Sequence, residues 1–270
     1  MAEPYLVIDN VRKQFPRRGE PPLTVIDGLN VAVEHGALLS ILGPSGCGKS
    51  TLLNMINGLD DVTSGRIMIN GHTVSVRSRS AVRIGVVFQE PRLLPWRTVR
   101  DNVRLPLDEL DVPRAEADRR VQRYLDLVGL GEFGDYYPLR LSGGMQQRVA
   151  LARGLAIEPD LLLADEPFSA LDEITARKLR QEFTDIWRAT GRTVLFVTHN
   201  IREAVFLSTR MLVVTARPCT THMDIAIDVP YPRVPEDDRL FEIEKQVTRD
   251  FIRMEEAASA DRTAERATAV

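Results

Sequence analysis

The stretch ILGPSGCGKST, residues 41–51, decides the fold because it places a glycine-rich loop directly after a short apolar run. Its glycines, lysine and serine fit the pattern G-x-x-x-x-G-K-[ST], in which a strand leads through a loop into a helix. The backbone N–H groups of such a loop surround the phosphates of a nucleotide. The apolar run before the loop and the helix-compatible run STLLNMINGL after it favour this interpretation over a chance glycine-rich turn.

Each residue type in this loop suits contact with phosphate. Glycine allows the backbone to approach phosphate oxygens because it has no Cβ atom. Lys49 brings a positive charge to the β- and γ-phosphates, and the Ser50 hydroxyl can ligate Mg²⁺. The N-terminus of the following helix favours the anion as well. The predicted nucleotide-binding residues of the loop are Gly43, Pro44, Ser45, Gly46, Cys47, Gly48, Lys49, Ser50 and Thr51.

A pair of carboxylates follows a second apolar run. In LLLADEP, residues 161–164 are predicted to form a buried strand, which is followed by Asp165 and Glu166. Asp165 is predicted to hold Mg²⁺, directly or through water, while Glu166 polarises the water that attacks the γ-phosphate. A lone Asp-Glu pair would more simply be a solvated acidic turn, but the glycine-rich loop elsewhere in the chain favours the catalytic interpretation.

The composition of the chain argues against several classes of protein. Its 270 residues are 44% hydrophobic and 27% charged, which is typical of a folded globular chain with a sizeable core. A formal net charge of −3, with basic and acidic residues scattered together, argues against nucleic acid as a partner. No window approaches the roughly 18 apolar residues of a membrane span, and the opening MAEPYLVIDN has no basic and apolar leader. We therefore expect a cytoplasmic protein.

Short apolar runs alternate with longer amphipathic stretches, which predicts an α/β fold. The predicted strands are YLVI, LNVAV, ALLSILG, RIMIN, IGVVF, LLLAD, TVLFVTH, MLVV and MDIAID. The predicted helices span residues 49–57, 114–128, 144–157, 174–189, 202–207 and 238–253. Two strong helical patterns without convincing strands indicate a helical insertion at about residues 90–156. The final stretch EEAASADRTAERATAV is small and charged, and is expected to fray.

A second candidate anion site opens the stretch LSGGMQQRVALARGLA, residues 141–156. Ser142 and the amides of Gly143 and Gly144 precede a run whose apolar residues recur at helical spacing. These three residues are predicted to form an anion-binding helix end. A simple helix N-cap is the common alternative for such a Ser-Gly-Gly sequence.

Over its full length, this stretch resembles the signature motif of ABC-type ATPases, and other stretches match that family in order. Gln89 in VVFQEP resembles the family's glutamine loop, SALD at residues 169–172 its D-loop, and His199 in LFVTHN its switch histidine. Phe15 in VRKQF lies where the family usually places an aromatic residue that stacks on adenine. On these motifs the chain is identified as a member of the family.

The resemblance implies a RecA-like P-loop NTPase core with an antiparallel β subdomain and an inserted α-helical subdomain. It implies one nucleotide-binding domain at residues 1–230, with the core at 1–89 and 157–230 and the helical subdomain at 90–156. A C-terminal helix and a frayed tail would then occupy residues 231–270.

The resemblance also implies an ATPase that uses ATP and Mg²⁺ and works as a head-to-tail homodimer. In the family, the P-loop of one subunit faces the signature serine and glycines of the other, so each chain contains two half-sites. By the same resemblance, Gln89 reaches the Mg²⁺ and the attacking water, and His199 contacts the γ-phosphate. Asp172 would communicate across the dimer.

Each of these residues also has a simpler interpretation. His199, at the end of a predicted strand, could be a core or surface histidine, and Gln89 could be an ordinary loop residue. Phe15 could belong to the core. The ordered set of motifs favours the functional interpretation for His199 and Gln89, whereas the residues that flank Phe15 are not diagnostic.

The resemblance extends to a group of transporters. Because no transmembrane helix is predicted, the permease would be separate subunits, as in bacterial importers that also use an extracytoplasmic solute-binding protein. FQEPRLLPWRTVRDNV and VPYPRVP resemble the subfamily that serves nitrate, aliphatic sulfonates, taurine and related compounds. This implies a peripheral subunit on the cytoplasmic face of the inner membrane. The apolar PRLLPW is expected to contact the permease, with packing inside the insertion as the alternative.

The alternative function is an ABC-type ATPase of a non-transport machine. An ATPase of DNA repair would carry a long coiled coil, but only about 50 residues separate Gln89 from Ser142 and they show no sustained heptads. A translation-associated protein would carry two cassettes in one chain, and this chain has one.

Overall fold

The computed structural model describes residues 4–77, 82–169 and 171–268, and their side chains as far as residue 257. The chain forms two compact units, one of Met1–Ser80 with Val197–Val270 and the other of Ala81–Phe196. The strands are β1 (Leu6–Arg17), β2 (Glu20–Val33), β3 (Leu38–Leu42), β4 (Ser64–Ile69), β5 (His72–Thr73), β6 (Ile84–Val87), β7 (Leu161–Asp165), β8 (Thr193–Thr198), β9 (Arg210–Val214) and β10 (Thr221–Ala226). The helices are α1 (Lys49–Ile56), α2 (Val99–Glu109), α3 (Arg114–Leu127), α4 (Gly143–Ala156), α5 (Glu173–Thr190), α6 (Ile201–Leu207) and α7 (Asp238–Thr268), with 3₁₀ turns at Gly131–Phe133 and Pro138–Arg140.

The first unit contains a four-stranded antiparallel sheet in the order β2-β1-β4-β5. Its long hairpin pairs Leu6 with Val33 and Arg17 with Glu20, with several register shifts between them. Leu6 and Ile8 are buried while the residues between and after them are partly accessible. Such alternation is typical of an antiparallel sheet with one covered face.

The same unit contains three further strands, β3, β9 and β10, and the glycine-rich loop follows the first of them. β3 runs parallel to β9, and β9 pairs with β10 in the antiparallel direction. All five residues of β3 are buried, as expected for a parallel strand that is covered on both faces. The loop follows β3 and leads into α1, while α6 packs against β3 and against α7.

The second unit combines two parallel strands with most of the helices. β6 pairs with β7 in a register that places Ile84 opposite Leu161. α2, α3 and α4 pack against one another, and α4 also contacts β6 and α5. Three aromatic rings, those of Phe168, Phe183 and Phe196, have centroids 5.8–6.0 Å apart and fill the space beside α5. β6 therefore packs on the helical layer through α4.

Most of the predicted strands and helices are confirmed to within a few residues, but α2 was not predicted. Pro106 lies inside this helix and weakens its sequence pattern, because proline lacks a backbone donor. The helix forms nevertheless, since Thr98 accepts a hydrogen bond from the Asp101 amide at 3.1 Å and caps its first turn. The helix also has a buried face. The buried residues of α2 are Val99, Asn102, Val103 and Leu107.

The lengths of three other elements differ from prediction. β1 and β2 extend far beyond the predicted YLVI and LNVAV, because backbone pairing in the hairpin continues through polar and charged residues, such as the exposed Arg12 and Arg17, that give no apolar pattern. β5 is a two-residue strand without any apolar pattern and was missed. α7 runs to Thr268 rather than ending at about residue 253. The final stretch is rich in Ala, Glu and Arg, whose high helix propensity explains the extension of a segment predicted to fray.

Residues 90–156 contain three α-helices and two 3₁₀ turns, and this fully described stretch has no strand. The second unit, Ala81–Phe196, includes more residues than this stretch. The subdomain limits 1–89, 90–156, 157–230 and 231–270 therefore stay predictions. Residues 1–3, 78–81, 170 and 269–270, which those ranges include, lie outside the described residues. Within the described part of the chain, none of the helices has the length and apolar character to cross a membrane.

Candidate functional site

The glycine-rich loop occupies the short connection between β3, which ends at Leu42, and α1, which begins at Lys49. Two of its three glycines have no room for a side chain. A Cβ atom on Gly43 would lie 2.5 Å from the Val214 side chain, and one on Gly48 would lie 2.8 Å from Val25. Gly48 also has φ +125°, a conformation that L side chains rarely adopt. The loop is therefore close-packed from behind and needs glycine at both positions.

The Lys49 side chain folds back on its own loop. Its ammonium Nζ donates hydrogen bonds to the carbonyl oxygens of Gly43 at 2.8 Å and Pro44 at 2.9 Å. The side chain is only 6% exposed, although lysine is almost never fully buried. A buried ammonium held at the mouth of a glycine loop is suited to meet an anion, because phosphate oxygens carry more negative charge than carbonyl oxygens.

Two buried thiols, Cys47 of the loop and Cys219 from a distant segment, form a hydrogen bond with each other. A hydrogen bond with the Cys219 thiol lowers the pKa of Cys47 to about 7, and the positive charge of Lys49 acts in the same direction against the effect of burial. The same hydrogen bond and burial raise the pKa of Cys219. The Cys219 amide donates to the Val25 carbonyl at 2.8 Å, which fixes the second thiol. The thiol pair thus forms part of the packing that supports the loop.

Arg217 contacts the outer side of the same loop and was not predicted. Its guanidinium donates to the carbonyl of Gly46 at 2.8 Å. The turn that presents it is held by Thr215, whose hydroxyl donates to the Pro218 carbonyl at 2.8 Å and accepts from the Thr220 amide at 3.0 Å. Arg217 stands before a proline, which predicts a turn, but a backbone contact of this kind leaves no motif in the sequence.

His199 follows β8 and lies in the same unit as the glycine-rich loop. Its side chain is exposed, so the alternative that it is a core histidine is wrong. The preceding residue, Thr198, accepts a backbone hydrogen bond from Gly43 at 3.4 Å. The end of β8 is thereby joined to the start of the loop.

Phe15, predicted to stack on adenine, lies near the end of β1 and is 38% exposed. The alternative that it belongs to the core is therefore wrong. The Lys13 ammonium lies 4.8 Å from the centroid of the Phe15 ring. The same ammonium donates to the Asp60 carboxylate at 2.6 Å and to the Asp61 carbonyl at 2.7 Å. Lys13 therefore joins the aromatic residue to the segment that follows α1.

The predicted carboxylates lie in the second unit, at the end of β7. Both side chains are partly accessible. Glu166 has φ +45°, a left-handed conformation that is uncommon for a non-glycine residue. Its carbonyl accepts hydrogen bonds from the Ser169 amide at 3.2 Å and from the Ser169 hydroxyl at 2.9 Å. A strained conformation held in this way is typical of residues whose direction matters for function.

Gln89 is exposed on the loop after β6, and α4 holds that loop. The Gln147 amide donates to the Phe88 carbonyl at 3.1 Å. The Arg153 guanidinium donates to the carbonyls of Pro91 at 2.6 Å and Arg92 at 2.8 Å. Burial lowers the pKa of Arg153. Gln147 and Arg153 were not predicted, because their contacts are with backbone carbonyls of a distant loop and leave no motif in the sequence.

Ser142 caps α4, because its hydroxyl accepts from the Met145 amide at 3.3 Å. The N-cap alternative for this serine is therefore correct as a description of the local structure, while the exposed Ser142 and Gly143 remain accessible. A Cβ atom on Gly144 would lie 2.8 Å from the Thr175 side chain, so α5 closes the space behind that glycine.

Asp172, at the end of the predicted D-loop, is exposed and caps α5. Its carboxylate accepts from the Thr175 amide at 3.0 Å, and hydrogen bonds with Thr175 lower the pKa of Asp172. Ala170 of the same loop lies outside the described residues. The predicted site residues thus fall into two groups. The first unit carries the glycine-rich loop, Phe15 and His199, and the second carries the glutamine loop, the two carboxylates, the signature and Asp172.

Comparison with known sequences extends these observations. The family described as ABC transporter matches residues 26–169. An uncharacterised ABC transporter ATP-binding protein of Methanocaldococcus jannaschii is 43% identical, over 90% of this chain and 89% of that protein. The aliphatic sulfonates import ATP-binding protein SsuB of Bacillus cereus is 40% identical, over 91% and 95% respectively. The bicarbonate transport ATP-binding protein CmpD of Synechococcus elongatus is 40% identical, over 89% and 85%.

Solved structures give the same result for the fold. The ATP-binding cassette MJ0796, in a dimeric post-hydrolysis state bound to ADP and Pi, has a TM-score of 0.70 and is 33% identical; it covers 83% of this chain and 100% of its own. CbiO1 of Clostridium perfringens, part of the ABC transporter complex CbiONQ, has a TM-score of 0.74 at 25% identity, over 84% of this chain and 90% of its own. These similarities extend over most of the chain, and the sulfonate and bicarbonate relatives do not favour the DNA-repair or translation alternative.

Proposed function

The chain belongs to the ABC transporter family, and we propose that it is the energy-coupling ATPase subunit of a bacterial importer for a small solute. The observation that carries the proposal is the glycine-rich loop between β3 and α1. Gly43 and Gly48 of this loop have no room for side chains, and its buried lysine points back to the loop carbonyls. An anion with several oxygens, such as the triphosphate of ATP, matches this arrangement of donors.

In the proposed mechanism, the loop amides and the N-terminus of α1 bind the phosphates. Lys49 moves from the carbonyls of Gly43 and Pro44 to the β- and γ-phosphate oxygens. Glu166 accepts a hydrogen bond from the attacking water and polarises it, and the exposed His199 contacts the γ-phosphate. Phe15 stacks on the adenine ring.

The residues assigned to Mg²⁺ fit that ion by their chemistry. The Ser50 hydroxyl, the Asp165 carboxylate and the Gln89 amide all offer oxygen, the ligand that Mg²⁺ prefers. Mg²⁺ normally combines one or two protein ligands with phosphate oxygens and water, so a complete protein cage is not required. When bound, Mg²⁺ would neutralise charge on the phosphate oxygens during transfer.

We further propose a head-to-tail homodimer in which Ser142, Gly143 and Gly144 complete the nucleotide site of the partner. The dimeric state of the MJ0796 cassette supports this arrangement. The exposure of Ser142 and Gly143 supports it as well, since both are accessible at the start of α4. Asp172, exposed at the start of α5, would carry the signal across the dimer.

The dimer is tested with Ser142→Arg, which leaves the chain's own phosphate loop unchanged but places bulk and charge at the proposed interface. ATP binding should persist while hydrolysis falls. Ser64→Arg, at an exposed serine of β4, is the matched control. In a mixture with Lys49→Met chains, one site of each heterodimer is intact, and some activity should return. Wild-type hydrolysis by Ser142→Arg, independent of protein concentration, would contradict the shared site.

The proposed partners are two permease subunits in the membrane and, through them, an extracytoplasmic solute-binding protein. The subunit would lie on the cytoplasmic face of the inner membrane. Exposed Trp96, 72% accessible, supports a role for PRLLPW in contacting the permease. The proposed solute is nitrate, a sulfonate, taurine or a related compound, and the names of the SsuB and CmpD relatives support a small anion.

The transport role is tested by uptake in a strain that lacks this gene. Labelled nitrate, bicarbonate, taurine and an alkanesulfonate are supplied in separate assays. Wild-type chain should restore uptake of one of them, whereas Lys49→Met should not. Restoration by both chains, or by neither for any of the solutes, would contradict the proposed transport function.

A further inference from the structure

Arg233 lies in VPYPRVP, residues 229–235, a stretch to which the proposed mechanism assigns no role. The side chain is only 2% exposed, and burial lowers its pKa. A buried guanidinium is costly unless its donors are satisfied. Here it donates to five backbone carbonyls. They are those of Ile227 at 3.0 Å and Val229 at 2.9 Å in its own segment, and those of Val205 at 2.9 Å, Phe206 at 3.0 Å and Ser208 at 2.8 Å at the end of α6.

Tyr231 completes the same set of contacts. Its hydroxyl donates to the Leu207 carbonyl at 2.6 Å, and its ring lies 4.1 Å from the Arg233 guanidinium carbon. The last carbonyls of a helix have no partner within the helix, and a cation near them interacts favourably with the helix dipole. Tyr231 and Arg233 therefore hold the C-terminal end of α6 through four consecutive carbonyls.

The other end of α6 is tied to the residues on both sides of His199. The Thr198 hydroxyl donates to the buried Glu203 carboxylate at 2.8 Å and accepts from the Asn200 amide at 3.0 Å. The Asn200 side chain in turn accepts from the Glu203 amide at 3.2 Å and caps the helix. His199 lies between two residues that α6 fixes.

We propose that Tyr231 and Arg233 are positioning residues that set the place of His199 through α6. The proposal rests on the role proposed above for His199 at the γ-phosphate. α6 has only seven residues and is about 10 Å long, so a shift at its last turn is transmitted to its first. Misplacement of a reacting group by about 1 Å can lower a rate about 100-fold.

The test separates positioning from simple stabilisation. Arg233→Met removes the guanidinium, Arg233→Lys keeps the charge with fewer donors, and Tyr231→Phe removes one hydroxyl. Tyr124→Phe, at a buried tyrosine of α3, is the control. For each purified chain, ATP affinity is measured by calorimetry and hydrolysis by single-turnover kinetics at saturating ATP. We expect affinity within about twofold of wild type, and rates that fall about 10- to 100-fold for Arg233→Met and less for the other two variants.

His199→Ala supplies the decisive comparison. If Arg233 acts through His199, the double variant His199→Ala, Arg233→Met should hydrolyse ATP no more slowly than His199→Ala alone. If the rate of the double variant is instead reduced by the product of the two single reductions, the positioning role is overturned, while the role proposed for His199 is unaffected. Wild-type hydrolysis by His199→Ala itself would instead refute the role of His199, and this inference with it.

Tyr231→Phe is a milder change that can be used if Arg233→Met does not fold. If Arg233→Met melts below the assay temperature, the same comparison is made with Tyr231→Phe, which leaves the buried guanidinium and its five carbonyls in place. The proposal is supported if Tyr231→Phe hydrolyses ATP more slowly than wild type and this difference disappears when both chains also carry His199→Ala. A wild-type rate in Tyr231→Phe under those conditions would contradict it.

Discussion

Replacement of Lys49 by Met tests whether the glycine-rich loop binds phosphate. Methionine keeps most of the apolar stem and removes the ammonium, which is 6% exposed and donates to two loop carbonyls at 2.8 and 2.9 Å. This ammonium already has carbonyl acceptors before ATP binds. Its contribution to the free energy of ATP binding is therefore the gain from exchanging carbonyl oxygens for phosphate oxygens. This gain in binding free energy should be close to the contribution of one charge-assisted hydrogen bond, about 1.5–3 kcal/mol.

A loss of about 1.5–3 kcal/mol raises the dissociation constant for ATP about 10- to 150-fold. Isothermal titration calorimetry with Mg²⁺ and ATP measures it directly. Lys245→Met is the matched control, because Lys245 is exposed on α7 and lies 3.4 Å from Glu242 on the same helix. Thermal melts establish that both variants are folded. Unchanged affinity in folded Lys49→Met would show that the loop is not the phosphate site.

Three further predictions concern the supports of the site. Cys219→Ala should move the titration of the Cys47 thiol upward from about 7, because the hydrogen bond that lowers its pKa is lost; an unchanged midpoint in ultraviolet thiolate absorbance would refute this. Gly48→Ala should destabilise the fold by about 1–3 kcal/mol in urea titrations and abolish ATP binding, and wild-type binding would contradict the strain argument. Arg153→Met should leave ATP affinity unchanged and lower hydrolysis about tenfold, since the loop after β6 loses two hydrogen bonds; an unchanged rate would exclude this support.

Contiguous motifs made the central parts of the site predictable. The glycine-rich loop, the carboxylates at the end of β7 and the cap of α4 each lie within a few consecutive residues, so their chemistry can be seen directly in the sequence. The structure adds their conformations, such as φ +45° at Glu166, which no residue pattern indicates. The pairing of Cys47 with Cys219 could not be predicted, because the two thiols are far apart along the chain.

The supporting residues were not predictable because they act on backbone carbonyls. Arg153, Arg217 and Arg233 each donate to carbonyls of distant segments, and any sequence can supply a carbonyl. α2 illustrates the same limit for the fold. Its interior Pro106 argues against a helix, and only the buried face and the Thr98 cap outweigh it. Local propensity is overruled in such cases by tertiary packing.

The central claim is that Glu166 polarises the attacking water for an ATP held by the phosphate loop. Glu166→Gln tests it most directly, because the amide keeps the shape of the side chain but is a much weaker base. ATP affinity and single-turnover hydrolysis of the purified chain are measured together at saturating Mg²⁺ and ATP. We predict wild-type affinity with a rate at least about 100-fold lower, as expected for loss of a general base. Hydrolysis by Glu166→Gln at the wild-type rate would contradict the account.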